Sequence, residues 1–203
     1  MCKLLEKFLP PQWRQNRHYL IAYQHSVTVA NAAELIAARS NLDAEKAFLY
    51  GLMHDVGKFF VSPEEKYKHP RMGYELMVKQ NPDVADVCIA HPFPDFNLKS
   101  YVLTYCHGDL VEARRIEGLL SGVQMNDYIE LIQLCDKLSG IDNYVRLEDK
   151  FNWYRQTCTV DEFSFQANFN RLSTIKMHWD ALIGGDLYTL LNLQKETTLP
   201  AAS

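Results

Sequence analysis

Apolar residues recur along this chain at helical spacing, and no run of alternating polar and apolar positions predicts a strand. The longest stripe belongs to a helix expected from about Arg17 to Arg39, where His25, Val29, Ala32 and Ile36 share a face. Pro10-Pro11 closes a short segment before it. Asn41-Leu42-Asp43 breaks the pattern. Asp43 suits the cap of a second helix, Ala44 to Asp55, with Glu45 favourable in its first turn. Ala47, Gly51 and His54 share one face of that helix, and Gly57 is placed to stop it. Ser62-Pro63-Glu64-Glu65 opens a loop that continues through Lys68. Pro70 fits the first position of the next helix, leaving His69 just outside. Asn81-Pro82-Asp83 opens another, whose face Val84, Val87, Cys88 and His91 turns His91 inward before Pro92 and Pro94 end it. One helix is expected from Ser100 to Leu120, with Glu112, Arg114, Arg115 and Glu117 on its polar face. Another runs from Asn126 to Leu138, where Ile129, Ile132 and Asp136 share a face. The signal weakens after Gly140. Asp161 to Leu182 and Asp186 to Leu193 predict two more helices on either side of Gly184-Gly185, and the tail from Lys195 is expected to fray.

The pattern predicts an all-α fold: one helical domain over residues 1–203, with a core over 17–145 and a C-terminal helical extension over 150–203. The extension has three readings: a dimer surface, a lid, or more core. The chain has 203 residues, 47% hydrophobic and 23% charged, enough for one sizeable core. Its formal charge of −4 argues against a binder of nucleic-acid polymers, which would carry a basic face. A small anionic substrate remains compatible if a metal supplies local positive charge. Five cysteines without a Cys-x-x-Cys pair argue against a disulfide framework and for a reducing cytoplasm. Cys88, Cys106, Cys135 and Cys158 read as small buried hydrophobes, with Cys2 the exception. No signal-peptide run and no bilayer-spanning stretch is evident, so no membrane partner is expected.

The chemistry concentrates at His54-Asp55, where an imidazole nitrogen and a carboxylate oxygen fall side by side. Borderline divalent metals accept that mixed donor set. Taken singly, an inward histidine is usually a hydrogen-bonded core residue, and an aspartate near a helix end is usually a cap. Here His25, His69, His91 and Asp136 also occupy inward faces or helix ends. Burying so many polar groups without a common partner would cost several kcal/mol, at about 1–3 kcal/mol for each unsatisfied group. One or two metal ions would satisfy them together.

The order His25, His54-Asp55, Asp136 resembles the HD-domain superfamily of metal-dependent phosphohydrolases, an all-α, phosphodiesterase-like helical bundle. The likeness covers roughly Tyr19 to Asn143. It is densest in His25-Ser26-Val27-Thr28-Val29-Ala30 and in the stretch from Ala47 to Lys58, with Val56 where many members carry isoleucine. His69-Pro70-Arg71-Met72-Gly73-Tyr74-Glu75-Leu76 looks like the middle motif, and the stretch from Asp83 to His91 like the next. The resemblance implies a first divalent ion held by His25, His54, Asp55 and Asp136. It implies a second held by His69 and His91 and bridged by Asp55. Manganese, iron, nickel, zinc, cobalt and magnesium all remain candidates. It also implies that Lys58 contacts phosphate or the bridging water, so that Asp55 and Lys58 are the catalytic candidates.

Two ionised aspartates offset half the charge of two divalent ions, so such a site stays positive and attracts phosphate. A water made acidic there would be the nucleophile, with Lys58 stabilising charge on phosphate oxygens. Arg71 reads equally as a phosphate contact or as an exposed arginine. His91 is followed by Pro92-Phe93-Pro94, and the Gly-Tyr-Pro signature of cyclic-dinucleotide phosphodiesterases is absent. The first half is similar to bacterial diadenosine tetraphosphate hydrolases, but the gap from His91 to Asp136 is longer and contains Cys106-His107-Gly108-Asp109. His107 reads as a surface or supporting residue, or alternatively as a replacement ligand for His91. The expected substrate is a nucleotide or other small phosphorylated compound, with a homodimer as the other partner considered. Two alternatives stay open: a two-iron oxygenase of the same superfamily, and an inactive nucleotide-binding sensor.

Overall fold

Short polar side chains begin most of the helices. Asn16, Asp43, Asn81, Asp109, Asn126, Asp161 and Asp186 each accept a backbone N–H in the first turn of the helix they precede. The computed structural model describes residues 2–11, 13–94, 99–158 and 161–193, and the expected fraying from Lys195 lies outside them. The helices are α1 (Cys2–Glu6), α2 (Arg17–Ala37), α3 (Ala44–Met53), α4 (His69–Met77), α5 (Pro82–Ala90), α6 (Lys99–Tyr105), α7 (Leu110–Leu120), α8 (Asp127–Leu138), α9 (Leu147–Thr157), α10 (Glu162–Ile183) and α11 (Leu187–Leu190). Among the described residues there is no strand, only an isolated antiparallel bridge between Ser139 and Tyr144. The protein is therefore all-α. Among the described residues no helix is long and apolar enough to cross a membrane.

Helix α8 is the hub. Ile129, Leu131, Ile132, Leu134, Cys135 and Leu138 are all buried, which places apolar side chains on most of its circumference. It packs against α2, α3, α5, α9 and α10. Helices α2 and α3 lie almost backbone to backbone at Gly51, where an added Cβ would come within 2.7 Å of the Ala30 Cα. That approach sets His25 and His54, on different helices, beside each other.

Several sequence-based boundaries change. Helix α3 ends at Met53, and Val56–Phe60 forms a 3-10 helix that includes Gly57. Gly57 therefore does not act as a helix stop. Its missing side chain admits the backbone of α4: an added Cβ would lie 2.0 Å from the His69 carbonyl oxygen and 2.6 Å from the Gly73 nitrogen. The loop expected through Lys68 is instead a 3-10 helix, Pro63–Lys68, and His69 is the first residue of α4. The single helix expected over Ser100 to Leu120 is two. His107 and Gly108 sit in the left-handed region, with φ of 52° and 83°, so α6 cannot continue through them. Asp109 then caps α7 through the Val111 and Glu112 backbone N–H groups. Periodicity alone marks no separate helix between Gly140 and Asp161. Leu147, Phe151 and Tyr154, at i, i+4 and i+7, carry the faint stripe of α9.

Candidate metal centre

Three of the histidines stand where a helix runs out. His54 follows α3, His69 follows the 3-10 helix Pro63–Lys68, and His91 follows α5. The last carbonyls of a helix have no intrahelical partner. Each ring turns back onto a carbonyl of the turn before it, three residues upstream, and the Lys66 carbonyl also accepts the His69 backbone N–H. His54 Nδ1 meets Gly51 O at 2.6 Å, His69 Nδ1 meets Lys66 O at 2.6 Å, and His91 Nδ1 meets Cys88 O at 2.8 Å. His25, inside α2, places Nδ1 2.7 Å from Gly140 O on the segment after α8. A carbonyl oxygen only accepts, so Nδ1 carries the proton in every case. In each neutral ring the lone pair is then on Nε2.

All four Nε2 atoms face Asp55 or Asp136. His25 Nε2 lies 2.9 Å from Asp136 Oδ1 and 3.8 Å from Asp55 Oδ2. His54 Nε2 lies 3.3 Å from Asp55 Oδ2 and 3.8 Å from Asp136 Oδ1. On the other side of the same carboxylate, Asp55 Oδ1 is 3.0 Å from His69 Nε2 and 3.3 Å from His91 Nε2. Those two nitrogens are themselves 3.2 Å apart. With Nδ1 protonated in both neutral rings, three lone-pair atoms crowd together and none can donate. His54 Nε2 and Asp55 Oδ1 are buried and, among the described residues, have no hydrogen-bond partner. Such atoms are costly unless a cation takes their lone pairs.

The donor set therefore fits divalent metal. His25, His54 and Asp136 offer ligand atoms all within 4.8 Å of one another, and so do His54, Asp55 and His91. His69 adds its Nε2 beside the second group. Imidazole with carboxylate suits zinc, manganese, iron, nickel and cobalt. Helix carbonyl ends carry partial negative charge, so α3 and α5 ending here also favour a cation.

Burial opposes charge throughout the site, and neighbours decide the outcome. His91 is pushed down to about 3 and His69 is also lowered, so both rings are neutral. For His54, burial is outweighed by Asp55 and Asp136, which hold its pKa above the ordinary imidazole value. Burial would raise Asp55, but His54 and Lys58 hold it well below the usual carboxylate range. Asp136 is held low against burial by Lys137, His25 and His54.

The surrounding residues divide into those foreseen and those missed. The Lys58 ammonium donates to Asp55 Oδ2 at the partly open rim. Arg71, read as a phosphate contact or an exposed arginine, is only 12% exposed and donates to Glu112 at 2.7 Å and to Glu75 at 2.7 Å. Glu112 is accordingly buried, not part of the polar face expected for it. His107 is exposed and packs edge-on against Tyr67, while His91 occupies the centre. Three supporting groups escaped sequence reading. Lys137 donates to Asp136 Oδ2, the Tyr105 hydroxyl lies 3.4 Å from His69 Nδ1, and Gln133 donates to Ala90 O and Phe93 O at 2.9 and 3.0 Å. Gln133 had a signal: it is an uncharged amide set directly between Ile132 and Leu134, two residues of the apolar run of its helix.

Comparison with known proteins places this geometry in context. The family described as HD domain matches residues 22–141. Among curated proteins, the chain is similar to Ribonuclease Y of Mycoplasma capricolum subsp. capricolum, 41% identical over 122 residues, covering 60% of this chain and 23% of that protein. It is 30% identical to Ribonuclease Y of Symbiobacterium thermophilum over 175 residues, covering 85% of this chain and 30% of that protein. It is 29% identical to Ribonuclease Y of Desulforamulus reducens over 150 residues, covering 73% and 26%. The chain thus spans about a quarter of the length of these relatives. No solved structure gives a significant match.

Proposed function

Because this chain belongs to the HD domain family of metal-dependent phosphohydrolases, we propose that it hydrolyses a phosphate ester or anhydride, using one or two divalent cations held by His25, His54, Asp55, His69, His91 and Asp136. The observation that carries the reading is the pair of buried, partnerless donors, His54 Nε2 and Asp55 Oδ1, at the meeting point of three further Nε2 lone pairs. Divalent ions bound there would acidify a water and offset charge on phosphate oxygens.

The chain's own groups have separable roles. The four rings arrive with their tautomers fixed by backbone carbonyls, so little side-chain freedom is lost on binding a cation. Asp55 presents one oxygen to each group of rings, which suits a bridging carboxylate. Lys58 is 28% exposed and spends one of its protons on Asp55 Oδ2, leaving others for a phosphate oxygen. Arg71, held by two carboxylates, reads best as the tether that fixes α4 and therefore His69.

The substrate reading is a nucleotide or other small phosphorylated compound. The names of the relatives support a second reading, an RNA phosphodiester. The formal charge of −4 describes the whole chain and does not weigh against a local positive site, so the expectation against nucleic-acid polymers loses force here. The test is a screen of metal-reconstituted protein against nucleotides, phosphate esters and a short labelled RNA, with metal content and oxygen uptake measured in parallel. Metal-dependent release of phosphate or of shortened RNA is expected. A metal-replete protein that turns over none of them, or that consumes oxygen with them, would sink the reading.

A further inference from the structure

Three lysines crowd the Asp136 side of the centre, and the two carboxylates there cannot balance them. Lys58 donates to Asp55 and Lys137 to Asp136. The third, Lys150, comes from α9, beyond the residues matched by the family. Its Nζ donates to Ser139 O at 2.9 Å. Ser139 directly precedes Gly140, whose carbonyl holds His25 at 2.7 Å. Lys150 is thus tied to the same backbone segment that orients a candidate ligand.

The Lys150 ammonium is partly buried, and among the described residues no carboxylate lies within ion-pair distance of it. A carbonyl uses one of its three protons. Burial lowers its pKa, with Lys137 and Lys58 adding repulsion against the pull of Asp136 and Asp55, so all these charges share one field. A desolvated cation without a counter-ion is costly and is relieved by an anion. Counting Lys58, Lys137 and Lys150 against Asp55 and Asp136 leaves one positive charge before any metal, and each divalent ion adds two. A single phosphate at the metals would not neutralise that excess.

We propose that Lys150, with Lys137, forms an anion-binding subsite beside the metal centre that holds a second phosphate group of the substrate. It rests on the phosphohydrolase reading above and narrows it to substrates with neighbouring phosphates, either in a polyphosphate chain or along successive nucleotides. Lys150 Nζ also lies over the Tyr154 ring, 5.7 Å from its centroid, a contact that leaves the ammonium's charge without a counter-ion.

The test is calorimetric binding to manganese-loaded protein, with orthophosphate, pyrophosphate and a 5′-phosphorylated dinucleotide as probes. Lys150→Gln should weaken pyrophosphate or the dinucleotide by about tenfold or more, the loss expected for one charge-assisted contact, while orthophosphate changes by less than about twofold. Lys150→Arg should retain the tight binding, and Lys150→Met supplies a second neutral variant that keeps the packed stem. Loss confined to pyrophosphate points to a polyphosphate chain, and loss confined to the dinucleotide points to a phosphodiester backbone. Equal weakening of all three probes, or no weakening of any, overturns the subsite while leaving the metal-centre reading intact. Failure of loaded wild-type protein to bind orthophosphate overturns that underlying reading, and the subsite with it.

Discussion

Arg71 gives its Nε proton to Glu112 at 2.7 Å, joining the helix that begins at His69 to helix α7 across 41 residues of sequence. Glu112 is 2% exposed, so its carboxylate depends on that guanidinium. Glu112→Ala leaves Arg71 with Glu75 alone and should cost about 2 kcal/mol in urea unfolding. Metal affinity should fall with it, because His69 is anchored at the start of the same helix. Wild-type stability in this variant would show the pair to be incidental.

Metal stoichiometry separates the two ligand groups. His25→Ala and His69→Ala remove donors from opposite sides of Asp55, so each should reduce bound metal without abolishing it. Asp55→Ala, which removes the carboxylate common to both, should strip the protein of metal and of turnover. Elemental analysis of the dialysed variants decides. Full metal content in Asp55→Ala would rule out the bridging role.

Lys58→Ala should separate binding from turnover. The ammonium competes for Asp55 Oδ2, so its removal should leave metal affinity unchanged or higher. Loss of one electrostatic donor should reduce kcat/KM by about ten- to a thousandfold. Wild-type kinetics would mark Lys58 as a rim residue only, and loss of metal would mark it as structural.

Acid should destabilise the metal-free protein through its buried rings. His69 and His91 have folded pKa values below the ordinary 6.5, His91 at about 3, so the unfolded chain takes up protons that these rings refuse. Stability is present above about pH 6.5 and drains as pH falls toward about 3. Asp55 and Asp136, whose values are depressed, add their loss below about 3.8, where unfolded carboxylates protonate. His54 works in the opposite sense, because its value is raised. The Tm of chelator-treated protein should therefore fall between about pH 7 and about pH 4. A rise over that range would contradict neutral burial of the rings.

Gly57→Ala should be more damaging than its single methyl suggests. The new carbon would meet backbone atoms of His69 and Gly73, which cannot swing aside as a side chain could. A cost of about 1–3 kcal/mol is expected, together with weaker metal binding as His69 is pushed outward. Chemical unfolding and metal titration of one preparation test both effects.

Much of this was legible in the sequence because helical periodicity and capping residues are local signals. Asp43, Asn81 and Asp161 mark helix starts, and the alignment of His25, His91 and Asp136 with apolar stripes anticipates their convergence. What stayed hidden is non-local. Gly57 reads as a helix stop, and only the arrival of α4 reveals it as a point of contact. Glu112 looks solvent-facing until Arg71 is placed beside it. The break at His107-Gly108 requires left-handed backbone, which a single histidine and glycine do not announce. Helix α9 was missed because only Leu147, Phe151 and Tyr154 give it an apolar side, and Lys150 was missed with it.

Three of the imidazoles are braced from behind by a carbonyl of their own segment, three residues upstream. Their aim is thus inherited from the main chain rather than negotiated among neighbouring side chains. Substitutions around the mouth of the site can then change what is admitted without scattering the donor atoms. In such an architecture the reactive centre and the choice of substrate are free to diverge independently, with selectivity written in the rim and in whatever helices are added after the bundle.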